Sequence, residues 1–110
     1  MNTDTQQDKK LLDPETNEVN VSTKREARFY IFLSKVILKK FGEIQLNALG
    51  QAADICVRVA ENLERYNYAT IKRIYSETID LDDSDRKRKG ARFIVKLSKS
   101  EEFDKLTENF

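Results

Sequence analysis

Apolar residues along this chain recur with two periods, near two residues and near 3.6, and the switches between them mark the elements. Residues 1–18 show neither period, are mostly polar and carry the only proline, Pro14, so they read as a flexible acidic tail. Val19 and Val21, alternating with Asn20 and Ser22, make a short strand. Thr23 and Glu26 then have the spacing of a capping box and start a helix near Lys24. Tyr30, Leu33, Ile37 and Phe41 repeat at helical spacing, with Phe29, Phe32 and Val36 widening the stripe, until Gly42 ends it. Ile44, Leu46 and Ala48 alternate as a second strand. Beyond Gly50, Ala52, Cys56, Val59, Ala60 and Leu63 share one face of a second helix, which ends near Asn67, a residue tolerant of left-handed dihedrals.

The last third of the chain is β-prone. Ile71, Tyr75, Ile79 and Leu81 share one phase, while Ile74 falls in the other and marks a two-sided strand or a bulge. Ala91, Phe93, Val95 and Leu97 alternate with Arg92, Ile94, Lys96 and Ser98, and the polar stretch of about ten residues before them makes a hairpin tip at which Gly90 lets the returning strand turn. The order β-α-β-α-β-β predicts an α+β two-layer sandwich, a four-stranded mixed sheet with two helices on one face. Its first two strands, joined by a crossover helix, are expected to be parallel neighbours. One domain, residues 19–99, is expected between the N-terminal tail and an acidic C-terminal tail at 100–110.

Charge changes the picture more than composition does. The chain of 110 residues has a net charge of only +1. Its distribution is uneven: residues 1–23 hold two cations and five acids, residues 24–99 seventeen and ten, and residues 100–110 one and four. A basic centre therefore lies between two acidic ends, and such a centre attracts a polyanion locally within a Debye length of about 8 Å. No apolar run approaches the roughly 20 residues needed to span a bilayer, and a soluble, intracellular protein is expected.

Much catalytic chemistry is missing. There is no histidine, and the single cysteine, Cys56, sits among apolar neighbours as an inert core thiol, so the commonest general base and thiolate zinc sites are both excluded. The three glycines stand apart, so no phosphate-cradling loop is formed. Asp80, Asp82, Asp83 and Asp85 lack the glycine and terminal glutamate of a Ca²⁺ loop and read as a solvated acidic turn. Neither an enzyme, a cofactor nor a bound metal is expected.

Two basic clusters remain. Lys24 and Arg25 fall where the first helix is expected to start, a place where the backbone dipole disfavours cations but free N–H groups attract anions. Arg86, Lys87, Arg88 and Lys89 form the second cluster, in the hairpin. Each has two readings, solvated cations or phosphate-binding ones, and together a cationic helix start and a flexible hairpin tip match a protein that grips nucleic acid by its backbone. Phe29 and Tyr30 are better placed for packing than for stacking on a base.

Three stretches resemble the Alba family of small DNA- and RNA-binding proteins: VSTKREARFYIFLSK, then ALGQAADICVRVAENL, and finally IKRIYSETIDLDDSDRKRKGARFIVKLSK. The resemblance spans Val19 to about Lys99. It implies a fold shared with the C-terminal domain of translation initiation factor three and a dimer, either a homodimer or a heterodimer with another Alba-like chain. It also implies DNA or RNA binding through a central basic pair and two mobile hairpin arms. Lys24, Arg25, Arg28, Gln51, Arg86, Lys87, Arg88, Lys89 and Arg92 become the candidate contacts, and Lys24 a candidate acetylation switch with a deacetylase as partner. Glu26 stands where archaeal members carry proline, and Leu49 and Gln51 stand where they often carry arginine. The expected roles are chromatin organisation or messenger RNA packaging and translational regulation, in nucleus or cytoplasm. The alternative is a scaffold subunit of a ribonuclease P/MRP-like particle.

Overall fold

The computed structural model describes residues 14–83 and 86–109, the side chains of residues 82–88 excepted. The order is β1 (Glu18–Val21), α1 (Ala27–Phe41), β2 (Glu43–Leu49), α2 (Ala52–Arg65), β3 (Ala69–Asp83), β4 (Arg86–Lys99) and a short α3 (Phe103–Leu106). The four strands form one sheet in the order β1-β2-β4-β3. β1 runs parallel to β2, with Val19 beside Leu46, as the crossover through α1 requires. β4 is antiparallel to both β2 and β3, so the sheet is mixed as expected.

The alternation in β1, β2 and β4 places Val21, Ile44, Leu46, Ala48, Val95 and Leu97 in one core with α1 and α2. On α2 the expected stripe of Ala52, Cys56, Val59, Ala60 and Leu63 is buried throughout. On α1 the buried face is rotated from the expected one: Ser34 and Leu38 are inside, whereas Phe32 and Phe41 are exposed. Ten apolar positions in fifteen cover more than one helical face, and the sheet and α2 decide which of them is used. Gly42 ends α1 with φ 81°, donating its N–H to the Leu38 carbonyl at 2.8 Å, and Asn67 closes α2 at φ 65°.

α1 begins at Ala27, not near Lys24, and Glu26 at its start makes no side-chain cap. The capping-box spacing is overridden by Ser22, whose Oγ accepts the Lys24 N–H at 3.1 Å. Tyr30 also holds this turn, its hydroxyl accepting the Ser22 N–H at 2.8 Å and donating to the Ser22 carbonyl. Lys24 and Arg25 therefore lie in a pinned loop before the helix.

β3 and β4 pair continuously to Asp83 and Arg86, which corrects the expected ten-residue tip. The register sets Asp80 opposite Lys89, Asp82 opposite Lys87 and Asp83 opposite Arg86, so the charged run is strand. Acid opposite cation favours such pairing, and charge by itself is no bar to a ladder. Gly90 is not a turn residue: it sits within β4 opposite Ile79, where an added Cβ would run into the Leu81 side chain. A bulge at Lys72 shifts the phase of β3 between Ile71 and Arg73, so Ile71 faces the core with Leu97 while Tyr75 pairs with Ile94 on the outer face.

The ends are also partly structured. Pro14 is buried and its carbonyl accepts from Lys40 Nζ at 2.8 Å, while residues 1–13 of the expected tail lie outside the described residues. The expected acidic tail at 100–110 carries α3, whose Phe103 is fully buried in the core.

Candidate nucleic-acid interface

The loop between β1 and α1 and the turn between β2 and α2 emerge at the same end of the sheet, because β1 and β2 are parallel. Together with the base of the β3–β4 arm they enclose an open groove of about 710 Å³, lined by Asn20, Ser22, Thr23, Asn47, Gln51 and Arg92, with Leu49 and Ile79 as apolar walls. Two expected contact residues, Gln51 and Arg92, thus meet in one place. Gln51 is exposed in the turn that leads into α2. Arg92 is half-buried and ion-paired with Glu77 opposite it, and its buried Nε has no hydrogen-bond partner.

Beside the groove, Lys24, Arg25 and Arg28 surround a second, shallower depression of about 470 Å³ with Phe29 and Phe32. All three cations are exposed. Arg25 stacks its guanidinium 4.4 Å from the Phe29 ring centre, and Arg28 pairs with Glu26 at 3.1 Å. Lys24 makes no ion pair among the described residues, so it is available to an anion. Tyr30 is unavailable for stacking because it is buried and pins the loop.

The third group is farther away. Arg86, Lys87, Arg88 and Lys89 lie on the arm, and with about 3.3 Å of rise per residue Arg86 stands some 20 Å beyond Arg92. Lys89 is exposed; the side chains of the other three lie outside the described residues.

Asn20, Ser22, Thr23 and Asn47 were not singled out from the sequence. Their signal was the polar residues alternating along β1 and β2 and the two hydroxyl residues after β1, which mean little until the parallel register sets Asn20 beside Asn47. Cys56 is remote from this surface and fully buried; loss of hydration pushes its thiol up to about 12, so it stays protonated and unreactive at neutral pH. Among the described residues no three acids or thiols gather to hold a metal ion, and no helix is long and apolar enough to cross a membrane.

The Alba family model matches residues 17–78, from the start of β1 through both long helices into β3. The chain belongs to the Alba family. An uncharacterized protein of Arabidopsis thaliana is 37% identical over 93 residues, covering 82% of this chain and 72% of its own length. Among solved structures, ALBA1 from Trypanosoma brucei superposes with a TM-score of 0.74 at 22% identity, over 88% of this chain and 81% of its own. Alba from Thermoplasma volcanium superposes with a TM-score of 0.65 at 20% identity, over 76% of this chain and 100% of its own. Both share the Alba fold. Alba proteins are generally nucleic-acid-binding and often dimeric. Lys24, Arg25, Arg28 and Gln51 fall inside the segment matched by the family model, whereas Arg86 to Lys89 and Arg92 follow it.

Proposed function

We propose that this Alba chain binds DNA or RNA through backbone phosphates, without catalysis, and packages or organises it in chromatin or in messenger ribonucleoprotein. The observation that carries this reading is the exposed Lys24–Arg25 pair, held in a pinned loop at the rim of a groove with no acid paired to Lys24. A rigid loop presents both cations without the ordering cost of a flexible one. Lys24 is also open to acetylation, which would remove its charge and give a deacetylase a role in control. Replacing Lys24 and Arg25 with alanine lowers affinity about tenfold, equally for every sequence, because phosphate contacts carry no base information. Fluorescence anisotropy on several duplexes and RNAs checks this; unchanged affinity, or loss for one sequence class alone, overturns it.

The chain acts as a dimer in this reading. Val57 on α2 and Ile74 on β3 are 48% and 54% exposed, although both lie where α2 runs along β3. Glu64, two helical turns beyond Val57, accepts the Ile71 N–H at 3.0 Å, which fixes that face of α2 against the strand. An apolar strip at the edge of an open sheet suits a second Alba chain. Light scattering at tens of micromolar is expected to give a dimer mass, and Val57→Glu a monomer. A monomeric wild-type protein would overturn self-pairing and favour a heterodimeric scaffold of the ribonuclease P/MRP type.

A further inference from the structure

The groove beside Lys24 is poorly suited to phosphate. Among the described residues Arg92 is the only charged one lining it, and Glu77 already neutralises part of that charge. The remaining polar groups are amides and hydroxyls, between the apolar walls of Leu49 and Ile79. Its volume lies in the range of about 300 to 1,000 Å³ typical of small-ligand sites. Amides facing apolar walls match a nucleobase, which has a polar edge and two apolar faces.

The amides are also oriented. Gln45 Nε2 donates to Glu18 Oε1 at 2.8 Å and to Asn47 Oδ1 at 2.9 Å, and Asn47 Nδ2 donates to Asn20 Oδ1 at 3.4 Å. The carboxylate at the head of this chain can only accept, so Gln45 must turn its NH₂ towards Glu18. Asn47 must then accept from Gln45 and donate onward, and Asn20 must accept with its oxygen. The relay therefore ends on the free NH₂ of the exposed Asn20, a donor at the groove. Arg92, with its unpartnered Nε, adds only donors.

We propose that this groove takes a single unpaired nucleobase and selects keto bases, guanine and uracil or thymine, over adenine and cytosine. The two groups of fixed polarity in the groove, the Asn20 NH₂ and the Arg92 guanidinium, are donors that meet the carbonyl acceptors of a keto edge and oppose the exocyclic amino group of adenine or cytosine, while Gln51, Ser22 and Thr23 can turn to either role. A duplex base reaches the groove only by unstacking and flipping out of the helix, so the selection acts on single strands. Glu18 is a positioning residue that sets the polarity of the relay. This inference rests on the nucleic-acid-binding reading above and adds base selectivity to it.

The test is binding of the full chain to dodecamer RNAs of alternating guanine and uracil or alternating cytosine and adenine, with a guanine–thymine DNA strand and one duplex beside them. Wild-type protein is expected to favour the keto RNA about tenfold over the amino RNA. The guanine–thymine strand separates a base effect from a ribose effect. Asn20→Ala, on an exposed edge-strand position, brings the ratio near unity and leaves duplex affinity unchanged. Asn20→Asp, which can only accept, inverts the ratio. Lys24→Ala with Arg25→Ala lowers all affinities while the ratio persists, which separates phosphate grip from base choice. Equal wild-type affinities for the two RNAs, or a ratio indifferent to Asn20, overturn the inference while leaving phosphate binding intact; no binding to any of the ligands overturns both.

Discussion

Phe103→Ala lowers the stability of the domain by about 3 to 5 kcal/mol, the usual cost of deleting a fully buried phenylalanine. The side chain is 0% exposed and packs edge-on against Tyr68, with ring centres 6.5 Å apart. Hydrogen bonds tie the same segment down: the Ser100 N–H donates to the Tyr68 carbonyl at 3.1 Å, and the Lys39 side chain donates through Nζ to the Thr107 carbonyl at 3.1 Å. Thr107 is buried and returns its hydroxyl to the Phe103 carbonyl at 2.8 Å. Since a domain of this size has only about 5 to 15 kcal/mol in total, the substitution removes a large share. Urea denaturation should show a lower midpoint with little change in slope. Leu106→Ala, at a position 47% exposed, should cost under about 1 kcal/mol. Equal effects for the two would mean that residues 100–109 are not part of the core.

The second large effect concerns the arm. Changing Arg86, Lys87, Arg88 and Lys89 together to threonine is expected to flatten the plot of log affinity against log salt by roughly 2 to 3 units per protomer, at about 0.7 to 0.9 per lost phosphate contact if three of the four pair. Threonine is the suitable replacement because all four positions lie on β4, and it keeps the strand preference while removing charge. The measurement is a salt titration of both proteins against one duplex and one single-stranded RNA, with circular dichroism as the folding control. Parallel slopes would mean that the run is solvated and makes no phosphate contacts. The salt slope also separates this arm from the Asn20 groove, where a change of base preference leaves the slope as it was.

The arm shows where pattern was readable and where it was not. Ala91 to Ser98 alternated and were read correctly as strand. Asp82 to Lys89 did not alternate in hydrophobicity and read as loop, yet the strands pair out to Asp83 and Arg86. Strand formation there depends on complementary residues in the facing strand, which a one-dimensional period does not record. Phe103 was lost for a similar reason: a lone aromatic among acids has no period, and it becomes core only because the chain turns at Ser100 back towards Tyr68. Lys24 and Arg25 were singled out by type, but their place before α1 was decided by the hydroxyls of Ser22 and Tyr30, not by the spacing of Thr23 and Glu26.

By itself, the sequence determined the order of the first six elements, the α2 face, the two helix ends at Gly42 and Asn67, and the absence of histidine chemistry, because each depends on residue type and local spacing. The Alba signature was legible for the same reason, since it lies in short stretches with local order. Tertiary structure alone decided that Gln51, Arg92, Asn20 and Asn47 share one groove, and that Glu18 orients its amides. Those residues come from three strands and a turn, and only the parallel register of β1 on β2 and the antiparallel register of β4 bring them within hydrogen-bonding reach or onto a common surface. Hydrogen bonds act over about 3 Å, a distance that sequence separation does not measure.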